Sequence, residues 1–286
     1  MATRKIHFFT GKGGVGKSTL AAAYAQHLGT LFNSQDSSKI LLTELTERSF
    51  YNHFFTSENG AVDTKSLNFD LTQWSPNSCL KEYALHLLKI ESLYKLFFEN
   101  PVSKSLIQVA PGLQELAVLG KATSSPRRHG PPTRHDEVVM DAFSSGHFLN
   151  LLRAPKAMSE IISFGPMADQ SKSIDKWIRN SDFTHIHIVT NAESYSMTET
   201  LELAATLLSE FKLRAKIYLN KTTGLTIGDG TMNSDILNDL LAKEKEARAL
   251  IKSAGFPMIE LPLEIATSNV DLVKRISQKM SEASHD

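Results

Sequence analysis

The chain has 286 residues, 41% of them hydrophobic, and its 31 basic and 31 acidic side chains balance to a formal net charge of +0. That length accommodates one large α/β domain with a substantial core, and the charge balance argues against a general nucleic-acid surface. No apolar run approaches the roughly 20 residues of a membrane span, and the single cysteine, Cys79, supports neither an internal disulfide nor a C-x-x-C metal clip.

The first predicted strand is KIHFF, residues 5–9, and it runs straight into GKGGVGKST. The spacing of Gly11, Gly16, Lys17 and Ser18 is that of a phosphate-binding loop, and the Ala- and Leu-rich stretch from Lys17 to Leu28 supplies the helix that must follow. Gly11, Gly13, Gly14 and Gly16 let the backbone take positive φ and bring N–H groups, that of Val15 among them, close to phosphate oxygens. The free N–H groups and positive dipole end of the helix face the same anion. In this motif Lys17 reaches the β- and γ-phosphates, the Ser18 hydroxyl holds Mg²⁺, and Thr19 donates to the α-phosphate. Lys12 has no part in such a cradle. Its side chain is free to extend toward a neighbouring molecule, or simply into solvent. Few residues precede this loop, so no leader is removable without destroying it, and Ala2 excludes N-myristoylation; a cytoplasmic location is expected.

Further strands are predicted at 39–45 (KILLTEL), 67–71 (LNFDL), 137–141 (EVVMD), 184–191 (THIHIVTN), 216–220 (KIYLN) and 257–263 (PMIELPL). Helical patterns separate most of them, which predicts a mostly parallel, doubly wound sheet covered on both faces within a single domain, 1–286. The alternation breaks between about Pro76 and Lys121, where apolar residues such as Leu85, Leu88 and Leu96 recur at helical spacing; a helical subdomain is expected, packed on the sheet or offering a client surface. ATSSPRRHGPPTRH, residues 122–135, is rich in Pro, Gly and basic residues and reads as a mobile loop.

EVVMD ends in Asp141, which places a carboxylate at the carboxyl edge of the sheet, where it can hold Mg²⁺ through water; Gly146, five residues on, can offer its N–H to a γ-phosphate. In IYLNKTT, Asn220 ends a strand and its amide can pair with an adenine edge, or cap a turn. Guanine sites read N-K-x-D and Thr223 stands in the last position, so ATP is expected over GTP. VDLVKRISQKM near the C-terminus forms either a last helix on the sheet or a basic amphipathic helix capable of peripheral membrane contact.

GKGGVGKST resembles the deviant phosphate loop of the ATPases that include the arsenite-pump ATPase, the tail-anchored-protein targeting ATPase, the division-site and partition ATPases and the nitrogenase iron protein. The stretch DAFSSGHFLNLL, with its Asp, Gly-His and Leu-rich continuation, is similar to the arsenite-pump branch in particular, as are LNFDLTQWSPNSCLKEY and APGLQELAVLGKA. The resemblance implies a homodimer in which Lys12 reaches the partner's phosphates, a Mg²⁺-dependent ATPase whose nucleotide state governs an unknown protein client, and base contacts from Asn220, Pro262 and Leu263. The family also places an Asp past the second strand to orient water. Here Thr46 falls nearest, flanked by Glu44 and Glu47, either of which is a candidate for that role. A nucleotide-gated binding module with little hydrolysis, and a membrane- or DNA-positioning ATPase, are the alternatives.

Overall fold

In the computed structural model, residues 4–32, 39–56, 66–88, 112–162, 164–227 and 235–283 are described. Seven strands form one all-parallel sheet. In chain order the elements are β1 (Lys5–Thr10), α1 (Lys17–Leu31), β2 (Ile40–Glu44), α2 (Phe50–Phe54), β3 (Asp70–Gln73), α3 (Pro76–Leu88), α4 (Leu113–Ala122), α5 (Ser124–Arg127) and β4 (Glu137–Asp141). They continue as α6 (Ser145–Ile161), α7 (Pro166–Ile178), β5 (Thr184–Thr190), α8 (Ser194–Thr206), a π-helical turn (Leu207–Phe211), β6 (Lys216–Thr222), α9 (Gly224–Ile227), α10 (Asp235–Ser253), β7 (Met258–Pro262) and α11 (Asn269–Ala283). The strand order is β3-β2-β4-β1-β5-β6-β7, the doubly wound α/β arrangement expected. β1 lies in the centre with every residue after Lys5 buried, because helices cover both of its faces.

The two faces hold different cores. Ile6, Phe8, Val138, Met140, Ile186 and Ile188 point to one side, where they meet Leu116 and Val118 of α4, Phe148 and Leu151 of α6 and Leu203 of α8. Phe9, Val139, Val189 and Tyr218 point to the other, against α1, the aromatic residues of α2, and Val273, Ile276 and Met280 of α11. α1 is sandwiched between sheet and α11, and its run of small buried residues, Ala21, Ala22, Ala23 and Ala25, suits that close approach. The apolar stripe of α11 is therefore spent on α1, as the packed-helix reading of VDLVKRISQKM requires.

All seven predicted strands exist, but the third is displaced: β3 begins at Asp70, three residues later than expected. Leu67 and Phe69 are buried, yet they anchor the approach to the strand in the α1-side core instead of pairing in the sheet. In the expected helical subdomain, α3 and α4 contribute Cys79, Leu80, Tyr83 and Leu116 to the same core cluster as the sheet; Leu85 is half-buried, and the residues from 89 to 111, Leu96 among them, lie outside the described residues. The stretch 122–135, expected as a loop, contains α5 and is fastened along its length. Arg127 donates to the Gly120 carbonyl at 2.7 Å and to Gln170, the Gly130 N–H reaches His86 Nε2 at 3.1 Å, Arg134 and His135 contact Asp70, and Arg4 binds Thr133. Arg127, Arg134 and His135 have internal partners, which composition does not reveal. Among the described residues no helix is long and apolar enough to cross a membrane.

Candidate functional site

The register of the sheet brings the chemistry together. Asp141, the last residue of β4, pairs with Phe9 of β1 on one side and with Glu44, the last residue of β2, on the other. The loop from Gly11 to Gly16 leaves β1 at the same edge, so the carboxyl ends of three adjacent strands converge on the amino end of α1, beside the switch in winding direction where open α/β sheets hold ligands.

Within the loop, Gly11, Gly14 and Gly16 have φ of 136°, 84° and 98°, and Gly16 is the N-cap of α1. Gly13 differs from the sequence expectation and is not among the positive-φ residues. A Cβ on Gly11 would stand 2.2 Å from the Val189 carbonyl oxygen, so this position demands glycine for close approach to β5 as well as for its dihedral. At Gly13, Gly14 and Gly146 an added Cβ would meet nothing within 4 Å. The Val15 side chain is buried in the core, leaving only its backbone to face a ligand. Gly146 is the second residue of α6, in the first turn, where helix N–H groups have no intrahelical acceptor. The buried Ser145 hydroxyl in that same turn has no partner. Open space above the glycines, two helix N-termini and an orphaned hydroxyl make a donor-rich pocket of the kind a polyphosphate fills.

Lys17 and Lys12 behave differently. The Lys17 ammonium turns into the loop and donates to the Lys12 carbonyl at 3.1 Å; burial lowers its pKa, opposed by the nearby charges of Asp141 and Glu199. Lys12 leaves the loop and sets its ammonium 5.8 Å from the ring centre of Tyr195, a side chain 83% exposed at the start of α8. Asp141 is nearly buried, and that burial pushes its carboxyl up to about 6. The Ser18 hydroxyl, the Lys17 ammonium and the Tyr51 hydroxyl oppose the shift, while the charge of Glu44 adds to it. A carboxylate beside a serine hydroxyl, with room for water and phosphate oxygens, suits Mg²⁺, which keeps most of its water and takes few protein ligands. Ser18 and Asp141 are the residues that would hold it. Among the described residues no cluster of three or more His, Cys, Asp or Glu side chains offers an all-protein metal site.

The two candidate glutamates separate. Glu44 is buried next to Asp141, and its Oε2 accepts from the Phe50 N–H at 2.7 Å, holding the first turn of α2. Glu47 is exposed and accepts from the Asn77 amide at 2.9 Å, at the start of α3. Asn220 lies beneath the loop, donating to the Val15 carbonyl at 2.9 Å. A bulge in β6 follows it, and Lys221, held at φ 60°, lays its ammonium 3.3 Å from the Gly14 carbonyl. Pro262 ends β7 and Leu263 donates its N–H to Thr222 across the same bulge, so both stand at the Asn220 side of the loop.

Four neighbours escaped sequence reasoning. Lys221 sits beside Asn220 in the sequence and offered a signal through the N-K pair. Thr10 is completely buried and donates to the Phe143 carbonyl at 2.8 Å, pinning the β4–α6 connection to β1, while Tyr195 and Tyr51 meet the site only through the fold.

Comparison with known proteins places the chain in a family. The sequence signature of the family described as anion-transporting ATPases matches residues 4–168, more than half of the chain, and spans the glycine loop, Glu44 and Asp141. The chain belongs to this ATPase family. Its seven-stranded sheet is accordingly a P-loop NTPase sheet. It is 28% identical to ATPase BagA of Mycobacterium tuberculosis over 219 residues, covering 69% of this chain and 59% of that protein. It is 27% identical to the putative arsenical pump-driving ATPase 2 of Aquifex aeolicus over 165 residues, 55% of this chain and 52% of that protein. With an arsenical pump-driving ATPase of Escherichia coli it shares 24% identity over 281 residues, 90% of this chain and 46% of that protein. The chain thus spans about half the length of the curated relatives it matches.

Proposed function

We propose that the chain binds ATP with Mg²⁺, hydrolyses it to ADP and phosphate, and works in the cytoplasm as a homodimer whose nucleotide state sets its affinity for a protein client. The observation that carries this reading is the convergence of Lys17, Ser18 and Asp141 at the amino end of α1, together with membership in an ATPase family. In this scheme the N–H groups from Gly11 to Thr19 cradle the phosphates, Lys17 neutralises the β- and γ-oxygens, and the Gly146 N–H faces the terminal phosphate. Bound Mg²⁺ supplies charge neutralisation at the phosphates. Lys12, released from Tyr195, reaches across to the partner's phosphates as an arginine finger would. Asn220, Pro262 and Leu263 supply the base side of the pocket. Phosphate release measured at saturating ATP and Mg²⁺ tests the reading: it should be lost in Lys17→Ala and fall about 10²–10³-fold in Asp141→Asn. A wild-type chain that releases no phosphate leaves the hydrolytic reading without support.

A second reading, a nucleotide-gated binding module with little turnover, draws on the glutamates. Glu44 is engaged at the N-terminus of α2 and Glu47 at Asn77, so water would be oriented by a group already committed elsewhere. A nucleotide-dependent dimer without phosphate release would favour it. As to cargo, the only cysteine of the chain, Cys79, is buried and its thiol is pushed up to about 12, so no thiolate is ready to take an arsenite-like anion.

A further inference from the structure

α2 is a short aromatic block. The rings of Phe50, Tyr51, Phe54 and Phe55 meet in stacked and edge-on pairs with centres 5.0–6.4 Å apart, and Phe55 meets Phe69. The block is tied down at each end: Ser49 caps it, Glu44 accepts from Phe50, and the Asn269 amide of α11 donates to the Phe54 carbonyl at 2.7 Å. A phenylalanine at position 51 would fill the same box. What tyrosine adds is one hydroxyl, and it reaches the first turn of α1, beside the phosphate loop. It donates to the Ser18 carbonyl at 2.9 Å, and the charges of Asp141 and Glu44 lie close enough to raise its pKa beyond what burial alone does.

We propose that Tyr51 is a positioning residue that fixes the Ser18–Asp141 pair for metal and thereby couples the segment after β2 to the phosphate loop. The inference rests on the nucleotide-and-metal reading above. One hydroxyl braces the backbone of Ser18 beside Asp141, and the same short helix carries Glu44's contact to Phe50. A displacement of α2 must therefore disturb the Ser18 backbone and the Glu44 carboxylate together. Loss of the hydrogen bond to the Ser18 carbonyl should weaken metal binding by up to about tenfold.

The test is Tyr51→Phe, read by electron paramagnetic resonance titration of Mn²⁺ into the ADP complex, with ADP affinity measured separately in chelator. The expected result is Mn²⁺ binding weakened by up to about tenfold, metal-free ADP affinity unchanged, and, at saturating Mg²⁺, a lower kcat with the KM for ATP preserved. Tyr51→Leu, which removes the ring as well, should lose melting temperature in addition. Equal Mn²⁺ affinity in wild type and Tyr51→Phe overturns the positioning role while leaving the ATPase reading intact. A parallel fall in metal-free ADP affinity and melting temperature assigns the hydroxyl to packing and overturns it too. Failure of the wild-type chain to bind ADP at all sinks the underlying reading, and the inference with it.

Discussion

Polar side chains gather in two places, in the middle of the sheet on its α1 face and at its carboxyl edge, and the two gatherings are built on opposite plans. From the amino end of β4 diagonally into the sheet, Glu137, His7, His187 and Tyr218 form a chain across four adjacent strands: His7 Nε2 to Glu137 at 2.8 Å, His7 Nδ1 to His187 Nε2 at 3.1 Å, and His187 Nδ1 to the Tyr218 hydroxyl at 3.2 Å. Phe9 stacks on His187 at 4.6 Å and Tyr24 of α1 covers both histidines. Burial holds the pKa of His7 and His187 down, so the chain is neutral at its histidines and closed on itself. At the carboxyl end, Lys17, Lys12, Ser145 and two helix N-termini present more donors than the chain's own acceptors absorb. The contrast teaches that burial of polar groups does not by itself mark a ligand site. What separates them is that each member of the Glu137–His7–His187–Tyr218 chain has a partner within it, although the neighbouring His185 leaves Nε2 without one, whereas at the carboxyl edge Gly13, Gly14 and Gly146 border open space and the Ser145 hydroxyl has no partner.

The largest effect expected is at Lys12. If the carboxyl-edge site is completed by a second copy, Lys12→Ala should reduce ATP turnover by about 10³-fold or more, the scale of a trans-acting cation, while leaving most ATP affinity in place. Phosphate-release kinetics with a parallel nucleotide-binding titration check both halves. Unchanged turnover would break the comparison, because the site would then be as self-contained as the histidine chain.

His7→Ala attacks the other gathering. It strands the Glu137 carboxylate and one nitrogen of His187 in the core, which should cost about 3 kcal/mol of stability by denaturant unfolding. ATP affinity of the folded variant should stay within about twofold of wild type. A loss of affinity comparable to the loss of stability would mean that the two gatherings are coupled through β1.

The pH dependence is a milder probe of the same chain. His7 and His187 have folded pKa values below their ordinary 6.5, so between those values the unfolded state binds more protons. Stability from these groups is therefore complete above about pH 6.5 and declines as pH falls below it, by about 1.4 kcal/mol per pH unit for each histidine until its folded pKa is passed. Denaturant midpoints between pH 7.5 and 5 should show this fall, and a His187→Phe variant should show it more weakly. A flat profile would place charge on the histidines in the folded state.

Much of this was legible in the sequence because it is written locally. The glycine loop, its flanking strand and helix, and Asp141 closing an apolar run are each visible within a dozen residues, and strict apolar runs located six of the strands closely. β3 slipped because Leu67 and Phe69 bury their side chains without joining the sheet, a distinction that periodicity does not carry. The anchoring of 122–135 was hidden because its partners, His86, Asp70 and Gln170, are distant in sequence and composition reports only its Pro, Gly and Arg. Tyr51 escaped for the same reason: nothing in SFYNHFF distinguishes the one aromatic whose tip meets Ser18, 33 positions upstream.

The smallest expected effect discriminates between the two glutamates. Glu47 is exposed, its carboxylate engaged only with the Asn77 amide, so Glu47→Gln should change turnover by less than about twofold and stability by less than about 1 kcal/mol, as exposed polar pairs contribute little. Glu44→Gln keeps an acceptor for the Phe50 N–H but removes a buried negative charge from beside Asp141, so it should lower kcat without unseating α2. Steady-state kinetics of the pair settle which carboxylate serves the reacting water. If Glu47→Gln is the damaging change, the segment from Thr46 to Ser49 must rearrange when nucleotide binds, and Glu44 is then a brace for α2 and nothing more.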